Sequence, residues 1–440
     1  MNNAPQAAKF SDFALDDRLV AALATAGIET TFPIQEMTLP LALGGSDIIG
    51  QAKTGTGKTF GFGLPLLQRI LATPAEPNKP NALVVAPTRE LALQVSKDLE
   101  LASSQTGLKV AAVFGGKAYE PQVAALKAGV DVVVGTPGRL IDLAKQRLMD
   151  LSSVKVLVLD EADEMLDMGF LPDVERLLKQ TPSSRQTMLF SATMPAQIIA
   201  MARSYMNNPT HIRTSSIGDE NITVDAIEQH AWRAHPMDKP ELVARILQAE
   251  GRNLAIIFTK TKRVASNLFE DLKERGFAVG TIHGDLSQDA RERALRALRS
   301  GKIDVLVATD VAARGIDIDG VTHVINYECP EDDKAYLHRV GRTGRAGAEG
   351  TAITLVDWSE VTRWQVINKT LGLPFNNPLE TYSSSDHLFT ALNIPVGTKG
   401  RLVKAEQTRP GLKAEARTTE DKPKRVRSRN RRSDAAPKNN

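Results

Sequence analysis

The 440-residue chain has a single cysteine, Cys329, so no disulfide framework can form within it and a cytosolic setting is expected. No apolar run approaches the ~18 residues that a membrane span needs, so a soluble, cytoplasmic protein with no membrane partner is expected. The opening residues MNNAPQAAKF have neither a basic start nor an apolar core, which argues against a secretory signal there. A second phosphate-loop signature is also missing, so one phosphate-binding site, held by the first domain, is expected.

Hydrophobic residues make up 42% of the chain and charged residues 24%, as in ordinary globular proteins. The length allows two or three domains, each with its own core. The net charge of +3 hides an asymmetry. Residues 401–440 carry 13 Lys and Arg against 5 Asp and Glu, a net of +8, which leaves the preceding 400 residues at −5.

Two regions alternate short β-branched runs with helical stretches. The first holds DIIGQ (47–51), ALVVAP (82–87), KVAAVFG (109–115), DVVVGTP (131–137), KVLVLD (155–160) and TMLFSAT (187–193). The second holds NLAIIFT (253–259), AVGTI (278–282), DVLVATD (304–310), HVINYE (323–328) and TAITLV (351–356). Strands that read as continuous apolar runs between helices imply parallel sheets covered on both faces. The polar stretch NNPTHIRTSSIGDEN reads as a linker between the two. After about residue 375 the apolar periodicity fades, and a segment containing PKRVRSRNRR (423–432) has too little to bury, so a basic, disordered C-terminal tail is expected.

Residues 52–59, AKTGTGKT, match the pattern G-x-x-x-x-G-K-[ST] with Ala52 in place of the first glycine. A strand precedes the stretch and a helix follows it, the context in which Ala52, Lys53, Thr54, Gly55, Thr56 and Gly57 can turn backbone N–H groups onto phosphate oxygens. Lys58 would then reach the β and γ phosphates, and the Thr59 hydroxyl would ligate Mg²⁺. The run VLVLDEADEML (156–166) passes from four apolar residues to four acids in five positions. Such like charges repel unless a cation sits among them. Asp160, at a strand end, suits a Mg²⁺ ligand, and Glu161 can orient or deprotonate an attacking water.

Asp160-Glu161-Ala162-Asp163 spells DEAD, and from about Phe10 to about residue 370 the chain resembles the DEAD-box ATP-dependent RNA helicases, with a bacterial RhlE-like look. The resemblance implies two tandem RecA-like α/β domains with parallel sheets. It also implies that Gln35 reads the adenine edge, with Phe10 stacking near the base and Asp317 holding the ribose. RNA would be lined by Pro87, Thr88, Arg89, Gly115, Gly116, Thr136, Pro137, Gly138 and Arg139 in the first domain. In the second domain Thr259, His283, Gly284 and Thr309 would line it. Asp163, Ser191, Thr193 and His338 would couple ATP to strand separation, and Arg342 and Arg345 would be arginine fingers. The chain departs from the family pattern at Thr31-Phe32, where Pro-Thr is usual, and at Ile28, where an aromatic often packs on adenine.

The division expected is an N-terminal helical segment with the glutamine motif (1–36), an ATP-binding domain (37–212), a linker (213–224), a second domain (225–375) and the tail (376–440). Together these features imply an RNA-dependent ATPase, using ATP and Mg²⁺, that unwinds short RNA duplexes or remodels ribonucleoprotein. Single strands and short duplexes would bind with little sequence preference. Two alternatives share the chemistry: an ATP-gated RNA clamp serving as an assembly platform, and a DNA translocase.

Overall fold

Short apolar runs form strands in the computed structural model, and the longer amphipathic stretches between them form helices. The structure describes residues 7–52, 56–72, 76, 79–213, 227–313, 318, 320–344 and 349–402. Among these, β1 (Ile48–Gln51), β2 (Ala82–Val85), β3 (Val110–Val113), β4 (Val132–Gly135), β5 (Val156–Leu159), β6 (Gln186–Ser191) and β7 (Thr210–Arg213) make one sheet. Their order across it is β3-β4-β2-β5-β6-β1-β7. A second sheet combines β8 (Ile227–Arg233), β9 (Leu254–Thr259), β10 (Val279–Ile282), β11 (Val305–Thr309), β12 (Val321–Asn326), β13 (Gly350–Val356) and β14 (Leu379–Glu380). Its order is β10-β11-β9-β12-β13-β8-β14. Every pairing in both sheets is parallel. This is the tandem RecA-like architecture expected from the sequence.

The apolar runs follow from burial on both faces. In β5, Val156 and Val158 join the core on one side of the sheet, while Leu157 and Leu159 join the core on the other. Each such side chain contributes about 1.5–3 kcal/mol relative to exposure. No helix among the described residues is long and apolar enough to cross a membrane.

The structure departs from the sequence-based expectation in two places. The stretch read as linker contains β7, which pairs with β1 from Ile48↔Thr210 to Gln51↔Arg213. Only Ile212 of that strand is buried, so it carries no apolar run to read. Residues 214–224 of the expected linker lie outside the described residues. The expected tail is also too long: residues 376–402 are packed. β14 pairs with β8, the helix Asp386–Ala391 buries Leu388 in the core of the second domain, and Leu402 N–H donates to the Arg275 carbonyl at 2.9 Å. The basic stretch from 403 onward lies outside the described residues.

Candidate nucleotide and RNA site

Sheet order sorts the motifs. β5, β6 and β1 are neighbours, so their C-terminal ends bring together DEAD, Ser191-Ala192-Thr193 and the phosphate-loop sequence. β3, β4 and β2 are the other contiguous group, and their ends bring together Gly115-Gly116, Thr136–Arg139 and Pro87–Arg89. Ligands bind outside the carboxyl ends of such strands. One edge thus carries nucleotide candidates on one half and RNA candidates on the other.

Ala52 is buried just beyond β1, and its N–H donates to the Ser191 carbonyl at 3.1 Å. Lys53, Thr54 and Gly55 lie outside the described residues. Gly57 has φ +81, and a Cβ there would fall 2.6 Å from Gln35 Nε2 and 2.7 Å from the Phe32 ring, so only glycine fits. Lys58 opens the helix Lys58–Leu71, and its ammonium is buried with no hydrogen-bond partner among the described residues. A cation kept this way needs an anion. Asp160, also buried, has its carboxyl pushed up to about 7: burial raises it most, Lys58 opposes, and Glu161 and Asp163 add to the rise. Lys58 and Asp160 thus lie together as buried ionisable groups, candidates for contact with a charged ligand.

Glu161 holds a left-handed backbone, φ 51, unusual for a residue with a side chain and a form of strain that clusters at functional sites. That conformation turns the chain from β5 into the short helix Ala162–Asp167 and buries Glu161. Asp163 then reaches the neighbouring strand end. Its Oδ2 accepts from the N–H and the hydroxyl of Thr193, both at 2.8 Å, and its N–H donates to Ser191 Oγ at 3.2 Å.

The base-binding expectations fare unevenly. Gln35 Oε1 accepts from Phe32 N–H at 2.8 Å and Nε2 donates to the Gly57 carbonyl at 2.7 Å, so the amide braces the phosphate loop while keeping one N–H and one lone pair for a ligand. Phe10 does not face a cleft: it is 1% exposed and packed in the core of the first domain, so stacking on a base would require it to leave that core. The aromatic beside Gln35 and Gly57 is Phe32, 47% exposed. The Thr31-Phe32 departure had marked the place, but only the fold brings the ring over Gly57. Thr59 lies by Asp98, whose carboxyl is pushed up to about 6 by burial and drawn back by Thr59 and Lys97. Nothing in the spacing of residues 59 and 98 signals that contact.

On the RNA half, Arg89 extends over Gly116, whose φ of +77 favours glycine at the second position of the pair. Gly138 has open space around its α-carbon, and Arg139 stacks on Tyr119 at 4.8 Å with Nη1 lacking a partner among the described residues. Pro87 is buried, Thr136 precedes the helix that Pro137 opens, and Gly115 adjoins the Arg89 guanidinium. The Thr88 hydroxyl is spent as a helix cap, accepting from Leu91 N–H at 3.3 Å. In the second domain Thr259 is fully buried and its hydroxyl donates to the Thr261 carbonyl, so the expected RNA contact cannot be made by its side chain. Thr309 and His283 are also mostly buried, the latter bonded to Ser266 at 3.0 Å, whereas Gly284 is open.

The two domains meet along this edge. Arg89 donates to Gln288 Oε1 at 3.1 Å, Arg291 pairs with Glu90 at 3.3 Å, and Lys117 pairs with Asp289 and Glu292, each at 3.1 Å. A cavity between the domains is lined by Glu164 on one side and by Phe258, Asp310, His338, Arg339 and Arg342 on the other. Arg342 is buried there and donates to the His338 carbonyl at 3.2 Å. Arg339, not singled out in the sequence, is buried and grips Asp310 through two bonds of 2.6 and 2.7 Å, fixing the helix that carries His338. Arg345 and Asp317 lie outside the described residues.

Comparisons with known proteins point to one family. The DEAD/DEAH box helicase model matches residues 32–201, and the Helicase conserved C-terminal domain model matches residues 238–347. The chain is 48% identical over 362 residues to the ATP-dependent RNA helicase CshA of Listeria monocytogenes, covering 82% of this chain and 68% of that one. Against the DEAD-box ATP-dependent RNA helicase CshA of Bacillus subtilis it is 46% identical over 363 residues, covering 82% and 72%. Both carry the CshA name rather than the RhlE-like designation that the sequence resembled. Among solved structures, S. cerevisiae Dbp5 bound to RNA and ADP BeF3 matches with a TM-score of 0.75 and 30% identity, covering 88% of this chain and 98% of that one. With an ATP hydrolase site at the strand ends and this degree of likeness, the chain belongs to the DEAD-box ATP-dependent RNA helicase family.

Proposed function

We propose that the chain spends ATP to part short RNA duplexes locally or to remodel ribonucleoprotein, gripping RNA phosphates across both domains with little sequence preference. The observation that carries this reading is the buried, unpartnered Lys58 ammonium beside Asp160, on the same edge as a contact between the two RNA-facing halves. In this reading Lys58 binds the β and γ phosphates, Gln35 contacts adenine with its spare N–H and lone pair, and Glu161 takes the proton of the attacking water. Arg342, with Arg345, stabilises charge on the transferring phosphoryl group. Asp163, Ser191, Thr193 and His338 transmit the state of the ATP site.

The residues present fit Mg²⁺. Asp160 is a buried carboxyl lacking a full counter-charge, and Mg²⁺ characteristically takes one or two carboxylates, with phosphate oxygens and water completing its shell. Asp160 would hold it with Thr59, once the Thr59 hydroxyl turns from Asp98. The ion supplies counter-charge to the phosphates.

A cytoplasmic setting belongs to the same reading. Cys329 is buried with its thiol pushed up to about 12, chiefly by burial, and so behaves as an inert core residue. A strand-displacement assay tests the proposal. A short RNA duplex with a single-stranded extension should separate in an ATP-dependent manner, and RNA should stimulate ATP turnover more than DNA. ATP turnover with RNA bound but no duplex loss would make the chain a clamp instead.

A further inference from the structure

Most large apolar side chains of the second domain are buried, yet Trp358 is held out at 47% exposure. Its surroundings are built, not loose. Trp358 opens a 3-10 turn, Trp358–Glu360, whose start is capped by Asp357 accepting from Ser359 N–H at 2.8 Å. The turn is anchored by Glu360, a buried carboxylate that pairs with Lys260 and Lys239 and accepts from Cys329 N–H at 3.2 Å. Lys260 directly follows Thr259 at the end of β9, so the turn carrying Trp358 is tied to the FTKT segment on the RNA half of the domain.

Register places the ring on the same edge. Thr309 pairs with Thr259, Phe258 with Asn326, Asn326 with Thr354, and Val356 with Arg233. The ends of β11, β9, β13 and β8 therefore lie within about one residue of a common level. From Thr259 to the end of β13 is two strand steps, about 10 Å at the usual spacing. The Arg233 guanidinium lies over one face of the ring, 5.4 Å from its centroid, and His235 meets the ring edge-on at 5.9 Å. The nearby acids are already engaged, Glu380 with Arg233 and Asp357 with the Ser359 N–H and hydroxyl.

We propose that Trp358 is a stacking platform for an unpaired RNA base, holding on the second domain a strand that continues past the FTKT segment. A half-exposed aromatic ring backed on one face by arginine, along an edge that holds phosphates, is how sequence-tolerant single-strand binders hold bases. A protein partner would suit an apolar patch, but the flanking Arg233 and the tie to Lys260 favour RNA. The inference rests on the RNA-helicase reading above.

The test is acrylamide quenching of tryptophan fluorescence in the full chain, with and without a 20-residue oligouridylate and a non-hydrolysable ATP analogue. Trp232 is 6% exposed and Trp364 0%, so the quenchable signal reports Trp358. RNA should protect it. Trp358→Ala should raise the RNA Kd about five-fold or more, Trp358→Phe should stay close to wild type, and Trp358→Lys should not restore binding. Unchanged quenching with RNA bound overturns the inference, as does full affinity in Trp358→Ala or rescue by lysine. Full affinity in the alanine variant would assign the patch to a protein partner. If the wild-type chain binds no RNA at all, the RNA-helicase reading fails instead.

Discussion

Asp163 and Thr193 are joined twice: one carboxylate oxygen accepts from both the backbone N–H and the hydroxyl of Thr193, each at 2.8 Å. The bonds link the ends of two adjacent strands, β5 and β6, one carrying the candidate catalytic acids and the other Ser191-Ala192-Thr193. Thr193→Val removes one bond and keeps the other. A hydrogen bond to a charged group is worth about 1.5–3 kcal/mol, so the link should loosen without collapse. Strand displacement should fall about ten-fold while ATP turnover stays within about three-fold of wild type, taking 1.4 kcal/mol per factor of ten. Equal losses in the two assays would show that the contact is merely structural.

Asp160 should make the nucleotide-free protein pH-sensitive. Its folded carboxyl sits near 7, above the ordinary aspartate value of 3.8, because burial disfavours its charged form. A raised folded pKa contributes stability that is fully present below the unfolded value and is lost as pH rises through the folded one. The window therefore runs from about pH 4 to above pH 7. Asp160→Asn removes this titration, so the Tm of the variant minus that of wild type should grow across that window in the absence of nucleotide. A difference independent of pH would contradict the assignment.

Gln35 has a double duty that substitution should expose. Gln35→Ala frees both Phe32 N–H and the Gly57 carbonyl, so the ratio of ATP to GTP turnover should narrow and ATP affinity should fall. Steady-state rates with each nucleotide check this. An unchanged ratio would leave the amide as a brace alone.

The contacts between domains differ in expected strength. Lys117, itself 37% exposed, pairs with the 72% exposed Asp289 and with the less exposed Glu292, and ion pairs of a solvated lysine are worth roughly 0–1 kcal/mol. Arg291 and Glu90 are largely shielded and share their surroundings with Gln288. Arg291→Ala should therefore depress RNA-stimulated ATP turnover far more than Lys117→Ala, and the loss should respond less to salt. Comparable effects of the two would place closure elsewhere.

How far the sequence could be read follows from what each element buries. β5 is apolar on both faces, and its acids follow a strand end, so both the strand and the candidate site were readable at residues 156–164. β7 buries only Ile212, and β14 is two residues long, so neither leaves a periodic signal and both were missed. The helix Asp386–Ala391 is too short to show its period, which is why residues 376–402 read as tail. Phe10 followed a family pattern, whereas the fold packs its ring in the core of the first domain. The Glu90–Arg291 contact spans some 200 positions and depends on how two sheets face each other, which no local pattern records.

In the proposed reading Glu161 activates water for a phosphate held at Lys58 while RNA is gripped by both domains. The most direct measurement is RNA-complex lifetime together with phosphate release for wild type and Glu161→Gln in saturating ATP. The substitution keeps the side-chain shape and removes its basicity. Almost no phosphate release and a long-lived, ATP-dependent RNA complex are expected in the variant, against rapid turnover and RNA release in wild type. A variant that turns over near the wild-type rate, or that releases RNA as fast, would contradict that reading.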